Sequence, residues 1–214
     1  MTTPKELHLF PVVVREYWNP NAYLDQTIIE HFKTLPAMQS NIPEGVFTGR
    51  PDLHKSENLD TQLLMEFFED CLEEYRYTYK LYCDRLSLSL CWFNYAPAKS
   101  GVGHPLHRHP MSYLSAVYYM TEGAPTYFED PCTPRTSDCI DVFRHDAMQA
   151  EAGINEKVDA EPGKLIIFPS WLKHYSGRQM LDYDRWTVSF NAMPTGKVNN
   201  GPWDYPQLTL PHDL

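Results

Sequence analysis

From about Arg85 onward the sequence stops reading as helix and breaks into short β-rich runs, each closed by Pro, Gly or Asp. Residues 86–95 (LSLSLCWFNY) alternate in polarity. Residues 112–121 (SYLSAVYYMT) are rich in β-formers, and 125–129, 139–143, 164–169 and 185–193 are short bounded runs. Such a series must close its sheets face to face or cover them with helices, because each strand has one face that needs burial. Covering helices are available upstream. A first strand is expected over 8–15, followed by a helix over about 22–35 capped by Asn19 or Asn21, with Leu24, Ile28, Ile29 and Phe32 on one face. A second helix is expected from about Asp60, where Leu64, Phe67, Phe68, Cys71, Leu72 and Tyr75 recur at three- and four-residue steps. Residues 36–58 read as loop, and the tail after Met193 reads as an outer wrap. The expectation is a mainly β chain with N-terminal helices, a helix-backed sandwich or jelly roll. It is read as one domain over 1–214, with 1–85 supporting a core at 86–193 and 194–214 as tail.

Composition narrows the function classes. The net charge of −10 and the lack of any Lys/Arg cluster argue against a nucleic-acid partner. No apolar run of about 18 residues is present to span a bilayer, and the first ten residues do not read as a signal peptide, so no membrane partner and a cytoplasmic location are expected. Five cysteines without a CxxC pair read as reduced thiols.

Histidine is the residue that carries chemistry. Three of the nine fall in Gly103-His104-Pro105-Leu106-His107-Arg108-His109-Pro110. On an extended segment His107 and His109 share a face, and a metal ion that binds both neutral rings removes their mutual repulsion. Arg108, between them, is expected to face solvent. Further on, Lys164-Leu165-Ile166-Ile167-Phe168 is a buried strand, and Pro169-Ser170-Trp171-Leu172 bends to deliver His174. Eleven residues later Arg185, Thr187 and Ser189 alternate on one strand face, which suits a bidentate grip on a carboxylate.

This order of motifs resembles the iron(II)/2-oxoglutarate oxygenases: a first metal pair, a distant His after a Leu-Ile-Phe-type strand, and an Arg-x-(Ser/Thr) about ten residues on. Leu114–Tyr119 and Gly123–Phe128 also look like paired strands of the prolyl-hydroxylase-like branch. His104 to Asp130, PGKLIIFPSWLKH and RWTVSFN resemble a small group of bacterial and phage members. The resemblance covers roughly 86–193 and implies a cupin-like double-stranded β-helix. It implies Fe(II), 2-oxoglutarate and O2 as cofactor and co-substrates, ascorbate as an auxiliary reductant, and a small-molecule or peptide substrate that is hydroxylated. A homodimer is compatible with it. Carried over residue by residue, the metal ligands become His107, His109 and His174. Arg185 would hold the far carboxylate of 2-oxoglutarate, helped by Thr187, Ser189 and the Tyr119 hydroxyl.

One departure stands out, because the family pattern has a carboxylate where this chain has His109. The third ligand is therefore open between His109, His104 and a carboxylate such as Glu129 or Asp130. Trp92, Tyr113, Tyr118, Trp171 and Trp186 are candidates for the pocket wall or for packing. Two rival readings keep the fold: a cupin-type metal dioxygenase without 2-oxoglutarate, and a non-catalytic metal- or ligand-binding module.

Overall fold

Residues 185–198 form the longest regular run of buried backbone, and the other strands are arranged around it. The computed structural model describes residues 11–39, 45–131, 155–202 and 205–211. In chain order these are β1 (Arg15–Trp18), α1 (Asp25–Phe32), β2 (Ala37–Gln39), β3 (Phe47–Gly49), α2 (Leu59–Thr78), β4 (Cys83–Ala96), β5 (Leu114–Tyr119), β6 (Gly123–Glu129), β7 (Asn155–Ala160), β8 (Lys164–Pro169), β9 (His174–Ser176), β10 (Arg185–Val198) and β11 (Leu208–Leu210). The larger sheet runs β1-β8-β5-β10-β4-β3-β2, with β11 added to the far half of β10. The smaller sheet runs β7-β6-β9. Every named pairing is antiparallel, the arrangement of a double-stranded β-helix.

β10 is buried on both faces over its first eight residues, and its alternation explains why. Trp186, Val188 and Phe190 pack outward into a core with Phe68, Leu72, Phe93, Tyr118 and Leu165, while Arg185, Thr187 and Ser189 point to the other face. The core side is closed by α2, whose stripe of Leu64, Met65, Phe68, Cys71, Leu72 and Tyr75 is buried as its periodicity requires. Each of these large side chains removed from water contributes roughly 1.5–3 kcal/mol, so α2 is the main clamp on the convex side of the sheet. Asn58 caps α2 by accepting from the Thr61 N–H at 2.9 Å. A second cluster between the sheets holds Tyr119, Phe128, Ile166, Phe168 and Leu172.

Several expectations change. The first described strand starts at Arg15, where the strand expected over 8–15 was to end, and residues 1–10 lie outside the described part. Neither Asn19 nor Asn21 caps α1. Asn19 instead accepts from the Asn21 N–H and donates to the Tyr118 hydroxyl, and a 3-10 turn at Ala22–Leu24 precedes the helix. The stretch read as loop over 36–58 contains β2, β3 and a 3-10 turn at Leu53–Lys55, because β4 offers them a free edge. The tail after Met193 is also partly ordered: β10 runs on to Val198 and pairs with β11. The strand expected over 139–143 lies outside the described residues, as do Cys132 and Cys139. Cys71, Cys83 and Cys91 are free and buried. Among the described residues no helix is long and apolar enough to cross a membrane.

Candidate metal centre and anion cavity

The histidines of the 104–109 segment reach the sheets through a two-stranded strap that no periodic pattern announces. Residues 99–109 lie against 170–181, held by Lys99 N–H to Leu181 O, Gly101 N–H to Gln179 O, Gln179 N–H to Val102 O, Ser176 N–H to His104 O and His109 N–H to Ser170 O. At its centre His107 and His174 exchange both backbone hydrogen bonds, each at 2.9 Å. Glycine makes this possible, since a Cβ on Gly103 would stand 2.3 Å from the Gly177 carbonyl oxygen.

The strap brings three imidazoles together. His107, His109 and His174 each offer a ring nitrogen within 4.8 Å of the others. The Nε2 atoms of His109 and His174 are 3.3 Å apart. His107 Nδ1 lies 2.8 Å from the Pro105 carbonyl and His174 Nδ1 lies 2.9 Å from the Leu172 carbonyl. A carbonyl only accepts, so both Nδ1 atoms carry the proton and both Nε2 lone pairs face the cluster. Metal–nitrogen bonds of about 2.1 Å at right angles put ligand nitrogens about 3 Å apart, close to the 3.3 Å observed. Burial, reinforced by the neighbouring histidines, pushes His174 down to about 3 and His109 to about 4, so both rings are neutral at pH 7, the form a metal requires. The donor set therefore fits a divalent transition metal. Among the described residues no carboxylate joins the cluster: Glu129 instead pairs with Lys173 at 3.1 Å, and Asp130 is exposed. Arg108 is exposed, as expected.

These rings open onto a small cavity of about 80 Å³ whose wall also includes Trp92, Asn94, His104, Val117, Thr126, Arg185, Thr187 and Ser189. Among the described residues no acidic side chain lines it. Arg185 is 5% exposed, and its Nε donates to the Ala124 carbonyl at 3.2 Å. No carboxylate forms an ion pair with it among the described residues. An arginine stays protonated even when burial lowers its pKa, as it does here, so this is a buried cation in need of an anion. Thr187 and Ser189 lie beside it on β10. Asn94 donates to the Ser189 hydroxyl at 3.2 Å and accepts from Thr48 at 3.1 Å.

Six of the seven residues expected from sequence, His107, His109, His174, Arg185, Thr187 and Ser189, line this one cavity. Tyr119 does not. It is fully buried, and its hydroxyl donates to Thr126 Oγ1 at 2.7 Å, so that Thr126 forms the wall. Of the aromatic candidates Trp92 is at the wall, near His109. Tyr118 and Trp186 are core, while Tyr113 and Trp171 are exposed. Asn94 and Thr126 were not anticipated. Each is the polar member of an otherwise apolar strand face, which is the sequence signal that could have found them.

Residues 90–191, which span β4 to β10, match the family described as "Putative 2OG-Fe(II) oxygenase". No curated protein is significantly similar in sequence. The fold is similar to that of a prolyl-4-hydroxylase from Pseudomonas putida (TM-score 0.59, 14% identity, 86% of this chain and 94% of that one). It is also similar to HygX from Streptomyces hygroscopicus, solved with nickel and 2-oxoglutarate bound (TM-score 0.58, 11% identity, 86% and 84%). A third similar structure is SnoN, a non-haem α-ketoglutarate-dependent epimerase of nogalamycin biosynthesis (TM-score 0.62, 11% identity, 93% and 90%).

Proposed function

We propose, from the match of residues 90–191 to the family described as "Putative 2OG-Fe(II) oxygenase", that this chain is an Fe(II)/2-oxoglutarate-dependent oxygenase that hydroxylates a small-molecule or peptide substrate. The observation that carries the reading is the pairing, in one cavity, of three convergent imidazoles with a buried arginine that has no acidic partner among the described residues. Each half alone has other uses. Together they match the two ends of a keto-diacid that chelates a metal at one end and presents a carboxylate at the other.

His107, His109 and His174 would hold the metal ion, each through one ring nitrogen. When bound, Fe(II) and 2-oxoglutarate supply the oxidation chemistry, in which O2 is consumed, 2-oxoglutarate leaves as succinate and CO2, and a substrate C–H becomes C–OH. The protein's own part is geometric. The backbone acceptors on Nδ1 fix the rings of His107 and His174. Arg185 grips the far carboxylate, with the hydroxyls of Thr187 and Ser189 as further donors, which sets the reach and angle of the co-substrate. Phe168, in the buried cluster with Ile166, packs edge-on against the His174 ring at 4.7 Å and backs it. HygX, which holds nickel and 2-oxoglutarate on a similar fold, lends support.

A cupin-type dioxygenase without 2-oxoglutarate is the second reading, and the three-histidine set favours it. Turnover separates the two. Anaerobically prepared protein with Fe(II), ascorbate and 2-oxoglutarate is expected to release succinate when O2 is admitted, and His174→Ala and Arg185→Ala should each abolish it. Wild-type protein that yields no succinate and shows no charge-transfer band with 2-oxoglutarate would hand the site to the second reading.

A further inference from the structure

His104 is a fourth histidine at the same cavity. Its backbone is held as firmly as that of the three clustered rings: its N–H donates to Ser176 Oγ at 2.7 Å, and its carbonyl accepts from the Ser176 N–H at 3.2 Å. Gly103, just before it, packs so closely on Gly177 that a Cβ there would stand 2.3 Å from the Gly177 carbonyl oxygen. The ring is 6.2 Å from that of His107, centre to centre, and stands outside the group of three that share one metal-sized space. It also walls a narrow recess whose other sides include Arg185, Asn94 and Ser176. Arg185 is the charge that acts on it most strongly, ahead of His107 and His174.

What distinguishes His104 from His107 and His174 is the state of its ring nitrogens. Those two rings donate to backbone carbonyls, whereas neither nitrogen of His104 has a hydrogen-bond partner among the described residues. A neutral imidazole always carries one N–H, and on half-buried His104, at the cavity wall, that donor is free for a ligand. Arg185 lines the same cavity and the same recess, and among the described residues its guanidinium is engaged only through Nε, on Ala124. Two donor groups thus face one cavity that has no acidic side chain in its wall among the described residues.

We infer that His104 is a positioning residue for the co-substrate: its ring N–H donates to the far carboxylate of 2-oxoglutarate, beside the grip of Arg185. This rests on the reading of the cavity as a 2-oxoglutarate site. A carboxylate has about four lone-pair directions, and a guanidinium fork fills two of them, so room for a third donor exists. The contact would fix rotation of the carboxylate about the Arg185 axis, which the fork alone leaves soft, and through it the pitch of the keto acid toward the metal.

The test is binding rather than turnover. Anaerobic Fe(II)-loaded protein is titrated with 2-oxoglutarate by calorimetry, with metal content measured on the same samples, for wild type, His104→Ala and His104→Gln. The inference predicts one Fe(II) per chain in all three. It predicts a Kd about tenfold or more higher in His104→Ala and largely restored in His104→Gln, which keeps an N–H donor. It also predicts that 2-oxobutyrate, which lacks the far carboxylate, binds wild type and His104→Ala alike. Unchanged 2-oxoglutarate affinity in His104→Ala overturns it, and so does loss of iron in that variant, which would make His104 a ligand. Wild-type protein that binds Fe(II) but no 2-oxoglutarate would overturn the co-substrate reading itself, and this inference with it.

Discussion

At the scale of single residues the site depends on which polar groups the protein leaves without protein partners. Arg185 is nearly fully buried, yet among the described residues its guanidinium bonds only a backbone carbonyl, while its strand neighbours Thr187 and Ser189 present hydroxyls rather than an acid. A carboxylate from the chain at that position would neutralise the guanidinium and close the cavity to an anionic ligand. The planar fork matters as well as the charge. Lysine offers a single point charge and cannot grip both oxygens of a carboxylate. Arg185→Lys is therefore expected to keep full metal binding and to raise the Kd for 2-oxoglutarate by roughly 10- to 100-fold, the cost of about 1.5–3 kcal/mol for a lost charge-assisted hydrogen bond. Calorimetric titration of the Fe(II)-loaded variant under nitrogen reads this directly. An affinity within twofold of wild type would mean that the carboxylate is held elsewhere. His109 shows the complementary case. It stands where a carboxylate was expected, yet its Nε2 reaches within 3.3 Å of that of His174.

Among the elements, α1 is tied to the sheet by polar contacts as well as apolar ones. Asp25, the first residue of α1, is buried behind β5, and both of its carboxylate oxygens lie 2.9 Å from the Tyr118 hydroxyl. Tyr118 accepts in turn from Asn19 Nδ2 at 3.0 Å and packs edge-on against Phe67 and Phe68 of α2. Burial raises the Asp25 carboxyl from its ordinary 3.8 to about 7, against the opposing pull of the Tyr118 hydrogen bond. A folded-state pKa above the unfolded one means that the native chain binds the proton more tightly. This contribution to stability is fully present below about pH 4 and declines as pH rises, until it is lost above about pH 7. Asp25→Asn keeps an acceptor for Tyr118 and removes the titration. Denaturant midpoints should then favour the variant over wild type more at pH 8 than at pH 5, and a gap that does not change with pH would refute the assignment. Contacts of this kind were not legible in the sequence, where Asp25 reads as an ordinary first-turn acid. The α2 stripe and the alternation of Arg185 through Asn191 were legible, because burial on one face writes a period into the residues. The three-residue strands β2, β3 and β9, and the strap at 99–109, carry no period. Their form is set by the free edge of β4 and by the close approach of Gly103 to Gly177, which only the folded chain defines.

Across the whole molecule, the candidate ligands are distributed so that the metal joins parts that the chain itself joins weakly. His107 and His109 belong to the strap, His174 to the smaller sheet, and Arg185 to the larger one. The strap is anchored by backbone hydrogen bonds and contains few large buried side chains, so its attachment is the less stable part of the site. An ion bound by three rings is a ligand of the folded state alone, and it stabilises by RT ln(1 + [L]/Kd), about 2.7 kcal/mol at a hundredfold excess over Kd. For a chain of this length that is a rise of roughly 5–10 °C in Tm. A net charge of −10 would attract divalent cations diffusely in any case, so the shift alone is not diagnostic. His174→Ala leaves the formal charge untouched at pH 7 while removing one ring of the three. Thermal melts with Mn(II), an oxygen-stable probe for the iron position, should therefore show a saturable shift in wild type that a chelator reverses and that His174→Ala largely abolishes. Adding 2-oxoglutarate should extend the shift in wild type and fail to do so in Arg185→Ala, which retains the three rings. If instead His174→Ala melts with the same Mn(II) dependence as wild type, the cation is acting on the acidic surface and the three-histidine cluster is not a metal site.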